Sequence, residues 1–247
     1  MSAKERKGVF LPFEAVEFTG SLYMPLGLDP EAPRVPAVYL LGSEEKELRE
    51  IVSLMKKPEL RPGKPTALVA LHPVRWENDY SPLKAPSLRP GEAPFGDGAG
   101  AHLRLLRDKL IPELEKEYNL IPSARERILA GYSLAGLCAL SGALYVPDAF
   151  TRFAGVSPSL WLEGFSDLFE KDFPPRGIDG IYLSLGKKEP VTKNERMARV
   201  GEAFERTAAF LSARLPEGSF RAEWNDGNHF YEPERRIAKA LAFLSSL

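Results

Sequence analysis

Short, almost wholly apolar runs recur along the chain: Val35 to Leu41 (VPAVYLL), Ala67 to Leu71 (ALVAL), Arg127 to Ala130 ahead of a turn, and Ile181 to Leu185 (IYLSL). A strand that is apolar on both sides has to be covered on both sides, which is the condition of a parallel sheet between two layers of helices. The stretches between the runs have the matching pattern. Glu44 to Lys57 places Leu48, Ile51, Val52 and Met55 on one helical face. Leu106, Leu110, Leu114 and Tyr118 recur at helical spacing, with Pro112 predicting a kink. The chain closes on a helix from about Pro233 to Leu247, where proline is tolerated in the first turn. At the other end, Phe13 to Tyr23 alternates apolar and polar, as an antiparallel opening pair would. The pattern predicts an α/β architecture with a mostly parallel sheet, and 247 residues suit one such domain spanning 1–247.

Charge excludes several partners. Lysine and arginine total 33 against 34 aspartates and glutamates, so no basic field favours nucleic acid or an anionic membrane. The single cysteine, Cys138, excludes a disulfide framework and any multi-cysteine zinc site, and reads as a packed core residue. Three histidines, His72, His102 and His229, are too few and too scattered for a metal cage, so no cofactor and no metal is expected. No run of 18 apolar residues offers a membrane span. The charged Met1 to Lys7 is followed by an apolar stretch that Pro12 and Glu14 interrupt, so no signal-peptide core forms and a cytoplasmic location is expected.

From Ser81 to Ala101 the chain reads SPLKAPSLRPGEAPFGDGAGA, with four prolines early and glycines at the far end. An aperiodic segment of this length after a buried strand is expected to be a functional loop or lid. It is read as a stiff arm covering one side of a site, with Lys84 and Arg89 presenting positive charge to a substrate.

Between the strand ending at Ala130 and a small-residue helix stands Gly131-Tyr-Ser133-Leu-Ala135-Gly136. A sharp strand-to-helix turn that presents a serine needs small residues on either side, and here Ala135 takes the second small position. A serine becomes a nucleophile only when a base removes its proton, and a carboxylate usually orients that base. His229 is the one histidine that follows Ser133 in sequence, in the turn-rich segment Trp224-Asn-Asp-Gly-Asn-His229. The acid is expected after the strand Ile181 to Leu185, where Glu189 is the first carboxylate; Asp226, three residues before His229, is the alternative, and a bare Ser–His dyad is a third. Oxyanion donors are expected from the Leu134 N–H at the helix start and from Gly42 or Ser43 after VPAVYLL.

Several segments taken in order resemble the enterochelin-esterase-like branch of the putative-esterase family, in the α/β-hydrolase superfamily. They are VYLLGS, Arg75-Trp-Glu-Asn-Asp79-Tyr-Ser-Pro82, FGDGAGAHLRLLRDKLIPELEKEY, RERILAGYSLAGLCAL, and Ser157-Pro158-Ser159-Leu160-Trp161, where Leu162 replaces the family's second tryptophan. The resemblance implies an α/β-hydrolase fold, with Ser133 as nucleophile, His229 as base, and Glu189 where members carry an acid or lack one. It makes Arg75, Asp79 and Trp161 candidates for contacting substrate, an Arg75–Asp79 pair holding the loop being the alternative for the first two and packing beside the site the alternative for Trp161. Members cleave siderophore trilactones, acylated sugars, thioesters and other small esters, so the expectation is a serine esterase acting on a small-molecule ester. A non-catalytic binding module of the same fold and an acyltransferase are the rival readings.

Overall fold

The computed structural model describes residues 7–72, 75–174 and 176–247. Residues 1–6, which carry most of the N-terminal charge used above, lie outside them. Eight strands form one sheet: β1 (Val9–Ala15), β2 (Phe18–Met24), β3 (Ala37–Leu41), β4 (Ala67–Leu71), β5 (Arg127–Tyr132), β6 (Arg152–Val156), β7 (Gly180–Gly186) and β8 (Phe220–Asn225). Their spatial order is β1-β2-β4-β3-β5-β6-β7-β8. The pairs β1/β2 and β2/β4 are antiparallel and every later pair is parallel. This is the α/β-hydrolase arrangement with an antiparallel N-terminal pair.

The helices among the described residues are α1 (Glu45–Leu54), α2 (Trp76–Asp79), α3 (Ala99–Leu105), α4 (Ile111–Glu117), α5 (Leu134–Tyr145), α6 (Phe165–Asp172), α7 (Glu195–Ala198), α8 (Val200–Arg214) and α9 (Pro233–Leu244). Pro112 lacks the N–H that an α-helix needs at that position. A π turn over Leu106–Leu110 links α3 to α4 just before it, so the helical path continues to Pro112. No helix among the described residues is long and apolar enough to cross a membrane.

Alternate residues of the inner strands supply two cores. Val38, Leu40, Leu68, Ala70, Ile128 and Tyr182 pack under α1 and α9, while Tyr39, Leu41, Val69, Leu71, Leu129 and Leu183 pack under the opposite layer with α3 and α5. Register brings Tyr132, Val156, Gly186 and Asn225 to one end of the sheet. That end, beyond the carboxyl termini of the parallel strands, is where open α/β sheets place their sites.

Candidate active site

Ser133 joins β5 to α5 with φ 60° and ψ −127°, a conformation that costs a non-glycine residue on the order of 1–3 kcal/mol. Neighbouring strands hold it there. Its N–H donates to Val156 O at 3.1 Å, and its carbonyl accepts from the N–H of Ser159, also at 3.1 Å. A Cβ added at Gly131 would lie 2.2 Å from Ala135 O, and one at Gly136 would lie 2.9 Å from Gly131 O. The crowded positions of the turn are therefore 131 and 136, which is why a methyl group at Ala135 is accommodated, fully buried, in the first turn of α5.

Two loops reach over this turn. His229, on the segment between β8 and α9, places Nε2 3.0 Å from Ser133 Oγ. Its Nδ1 lies 2.8 Å from Glu189 Oε2. The pattern assigns the tautomer: Nδ1–H donates to the carboxylate and Nε2 accepts from the serine hydroxyl. Tyr132, the last residue of β5, donates its hydroxyl to the His229 carbonyl and so fixes the loop to the strand that carries the serine.

Glu189 stands at the end of a tight turn after β7. Its N–H donates to Gly186 O at 2.9 Å and its Oε1 accepts from the Gly186 N–H at 2.7 Å. Burial pushes its carboxyl pKa up, but the hydrogen bond and charge of His229 and the Gly186 N–H outweigh burial, and the net position is below the ordinary glutamate value. The alternative acid lies elsewhere. Asp226 is 83% exposed and pairs with Lys187 Nζ at 2.7 Å, away from the imidazole.

Arg236 is a member of this constellation that sequence reading missed. From α9, with its side chain 2% exposed, its Nη1 donates to Glu189 Oε1 at 3.1 Å and to Ser157 Oγ at 2.9 Å. Its Nη2 donates to the carbonyls of Asp226 at 2.8 Å and Asn228 at 2.9 Å. One guanidinium thus ties the carboxylate, the histidine loop and Ser157 together.

The other sequence candidates divide. Leu134 lines the cavity in front of Ser133 at the start of α5. Gly42 and Ser43 do not join it: the Gly42 N–H donates to Tyr80 Oη at 3.0 Å and the Ser43 N–H to Leu71 O at 3.1 Å, so both are spent within the fold. Arg75 and Asp79 form a pair at 2.9 Å whose carboxylate is buried and whose guanidinium faces solvent, and neither lines the cavity. Trp161 does line it, edge-on to Phe95 at 5.5 Å between ring centres. His72 Nε2 meets Ser21 Oγ at 3.3 Å, and His102 is packed against Phe18 and Tyr80. Cys138 is buried in the core.

The cavity in front of Ser133 and His229 measures about 340 Å³. The loop expected to cover it contributes Leu88, Glu92 and Phe95. Ala85 and Phe95 pair through two backbone hydrogen bonds of 3.2 and 2.9 Å, and Arg196 Nη1 holds the carbonyls of Pro86 and Ser87 at 2.9 and 3.0 Å. The far end of the segment, from Ala99, belongs to α3. The expected positive charge does not face the cavity: Lys84 pairs with Asp97 at 3.5 Å, Arg89 with Glu92 at 3.4 Å, and neither cation is part of the lining.

A family model described as Putative esterase matches residues 16–238. YbbA of Bacillus subtilis (strain 168) is 26% identical over 176 residues, 68% of each chain. The ferri-bacillibactin esterase BesA of the same organism is 30% identical over 142 residues, 54% of this chain and 46% of that protein. Among solved structures, an IroE-like serine hydrolase from Shewanella oneidensis superposes with a TM-score of 0.73 over 97% of this chain and 79% of that one, at 16% identity, a likeness of fold.

Proposed function

We propose that this chain, which belongs to the Putative esterase family and is a carboxylic ester hydrolase, cleaves a small ester through an acyl-enzyme formed on Ser133. The observation that carries the reading is the line from Glu189 Oε2 through His229 to Ser133 Oγ, with spacings of 2.8 and 3.0 Å. Ser133 Oγ attacks the ester carbonyl carbon while His229 Nε2 takes the hydroxyl proton, and Glu189 stabilises the imidazolium that results. Charge collects on the former carbonyl oxygen. The Leu134 N–H, at the positive end of α5, is its donor in this scheme. Collapse breaks the bond to the alcohol oxygen, which leaves with the proton from His229. Water then attacks the acyl carbon, gives a proton to the same nitrogen, and the acid departs as Ser133 is restored.

A cavity of about 340 Å³ is at the small end of ligand sites and supports a compact substrate. The test is hydrolysis of 4-nitrophenyl esters of increasing acyl length, with the Ser133→Ala variant as blank. Short acyl chains are expected to be cleaved fastest. Cleavage by Ser133→Ala at the wild-type rate would overturn the acyl-enzyme assignment.

A further inference from the structure

We infer that the site selects esters whose acyl or alcohol part is neutral or cationic, and discriminates against anionic esters, polyanionic metal–catecholate esters included; this rests on the hydrolase reading above. The charge around the cavity carries the inference. Among the described residues its charged lining is Glu77, Glu92 and Glu189, with no lysine or arginine. Glu189 is spent on His229 and Arg236. Glu92 has only the solvent-exposed Arg89 at 3.4 Å, a contact that water screens heavily. Among the described residues Glu77 has no ion-pair partner.

Four cations that lie outside the lining have partners of their own. Arg75 holds Asp79, Lys84 holds Asp97, and Arg196 bonds the Pro86 and Ser87 carbonyls with its guanidinium 5.7 Å from the Trp161 ring centre. Arg236 lies behind the triad, 2% exposed, with four partners of its own. An anionic substrate would therefore lose its hydration next to carboxylates and meet no compensating cation in the lining. A quaternary ammonium or a neutral apolar group meets the opposite: Trp76, Phe95, Trp161 and Phe230 supply aromatic surface, which attracts cations at ring faces, and the two carboxylates add to the field.

The test uses three 4-nitrophenyl esters of equal acyl length that end in trimethylammonium, tert-butyl or carboxylate groups. The first two share shape and differ in charge. Wild-type kcat/KM is expected to fall from trimethylammonium to tert-butyl to carboxylate, with at least tenfold between the ends. In the Glu77→Gln/Glu92→Gln double variant the cation-to-anion ratio is expected to drop about tenfold, and comparing ratios between enzymes cancels the intrinsic reactivity of each ester. High salt is expected to compress the wild-type ratio as well. A carboxylate ester turned over as well as the cationic one, or a ratio that the double variant leaves intact, sinks the charge selection while the hydrolase reading stands. Failure of wild type to exceed Ser133→Ala on all three esters sinks both.

Discussion

Arg236 Nη1 lies 3.1 Å from Glu189 Oε1 while the second oxygen of that carboxylate faces His229. The buried carboxylate is thus held from both sides, and the imidazole it orients cannot turn without breaking a charged contact. Arg236 touches Glu189, the histidine loop and Ser157 rather than the Ser133 hydroxyl or the imidazole, so in the proposed mechanism it is a positioning residue. Truncating one partner of a buried pair leaves an uncompensated charge, so Arg236→Met is expected to cost about 3–5 kcal/mol of folding stability by denaturant titration. Arg236→Lys keeps the charge but lacks the planar fork that serves four acceptors. It is expected to stay folded with kcat lowered about tenfold or more and KM changed little. A kcat equal to wild type in a folded Arg236→Lys would remove the positioning role.

The two carboxylates near His229 separate by burial and partner. Glu189→Gln is expected to lower kcat by about 10⁴, the order found when the equivalent carboxylate of a serine protease is neutralised. Asp226→Asn removes only an exposed contact to Lys187 and is expected to change kcat less than about threefold. Steady-state rates of the two variants decide the assignment, and the reverse ranking would transfer the role to Asp226.

Stability is expected to decline on the acid side in two stages. His102 is pushed below its ordinary value of 6.5, first by burial, with Asp79 opposing and Arg75 adding. The unfolded chain therefore binds that proton first, and the contribution of the neutral ring, complete above about 6.5, is lost as pH falls below it. Glu189, held below 4.5, contributes stability that is complete above about 4.5 and is lost as pH falls through its lower folded value. Thermal melts between pH 7.5 and 5.5 read the first stage separately. The slope of Tm against pH is expected to be shallower in His102→Phe, which keeps the ring contacts to Phe18 and Tyr80, and an unchanged slope would assign that stage to other groups.

What the sequence disclosed follows from how local each signal is. AVYLL within VPAVYLL, ALVAL, and IYLSL within β7 are strand segments buried on both faces, and their composition alone says so. β8 (FRAEWN) lies at the sheet edge with polar residues on one side, and β6 (RFAGV) carries a glycine, so neither has the all-apolar pattern. Ser133 and His229 were legible from chain order, and Glu189 from its place after a strand. Arg236 was not. It belongs to a helix whose stripe of Ile237, Ala240, Leu241 and Leu244 is the visible signal, and only a carboxylate 47 residues earlier in the chain explains an arginine buried beside that stripe. The partners of the Gly42 and Ser43 N–H groups were hidden for a similar reason: Tyr80 Oη and Leu71 O come from other parts of the chain. The small-residue rule of the elbow was legible in outline, but contact distances were needed to show that position 136, rather than 135, admits no side chain.

In the proposed mechanism His229 activates Ser133, and covalent trapping reads that activation. A small fluorophosphonate is incubated with wild type, Ser133→Ala and His229→Ala, and the adduct is located by peptide mass spectrometry. One adduct is expected on Ser133 in wild type, none in Ser133→Ala, and labelling slowed by a hundredfold or more in His229→Ala, with loss of esterase activity tracking occupancy. An adduct on Ser157 or Ser159, or labelling of Ser133 at the wild-type rate without His229, would contradict the proposed mechanism.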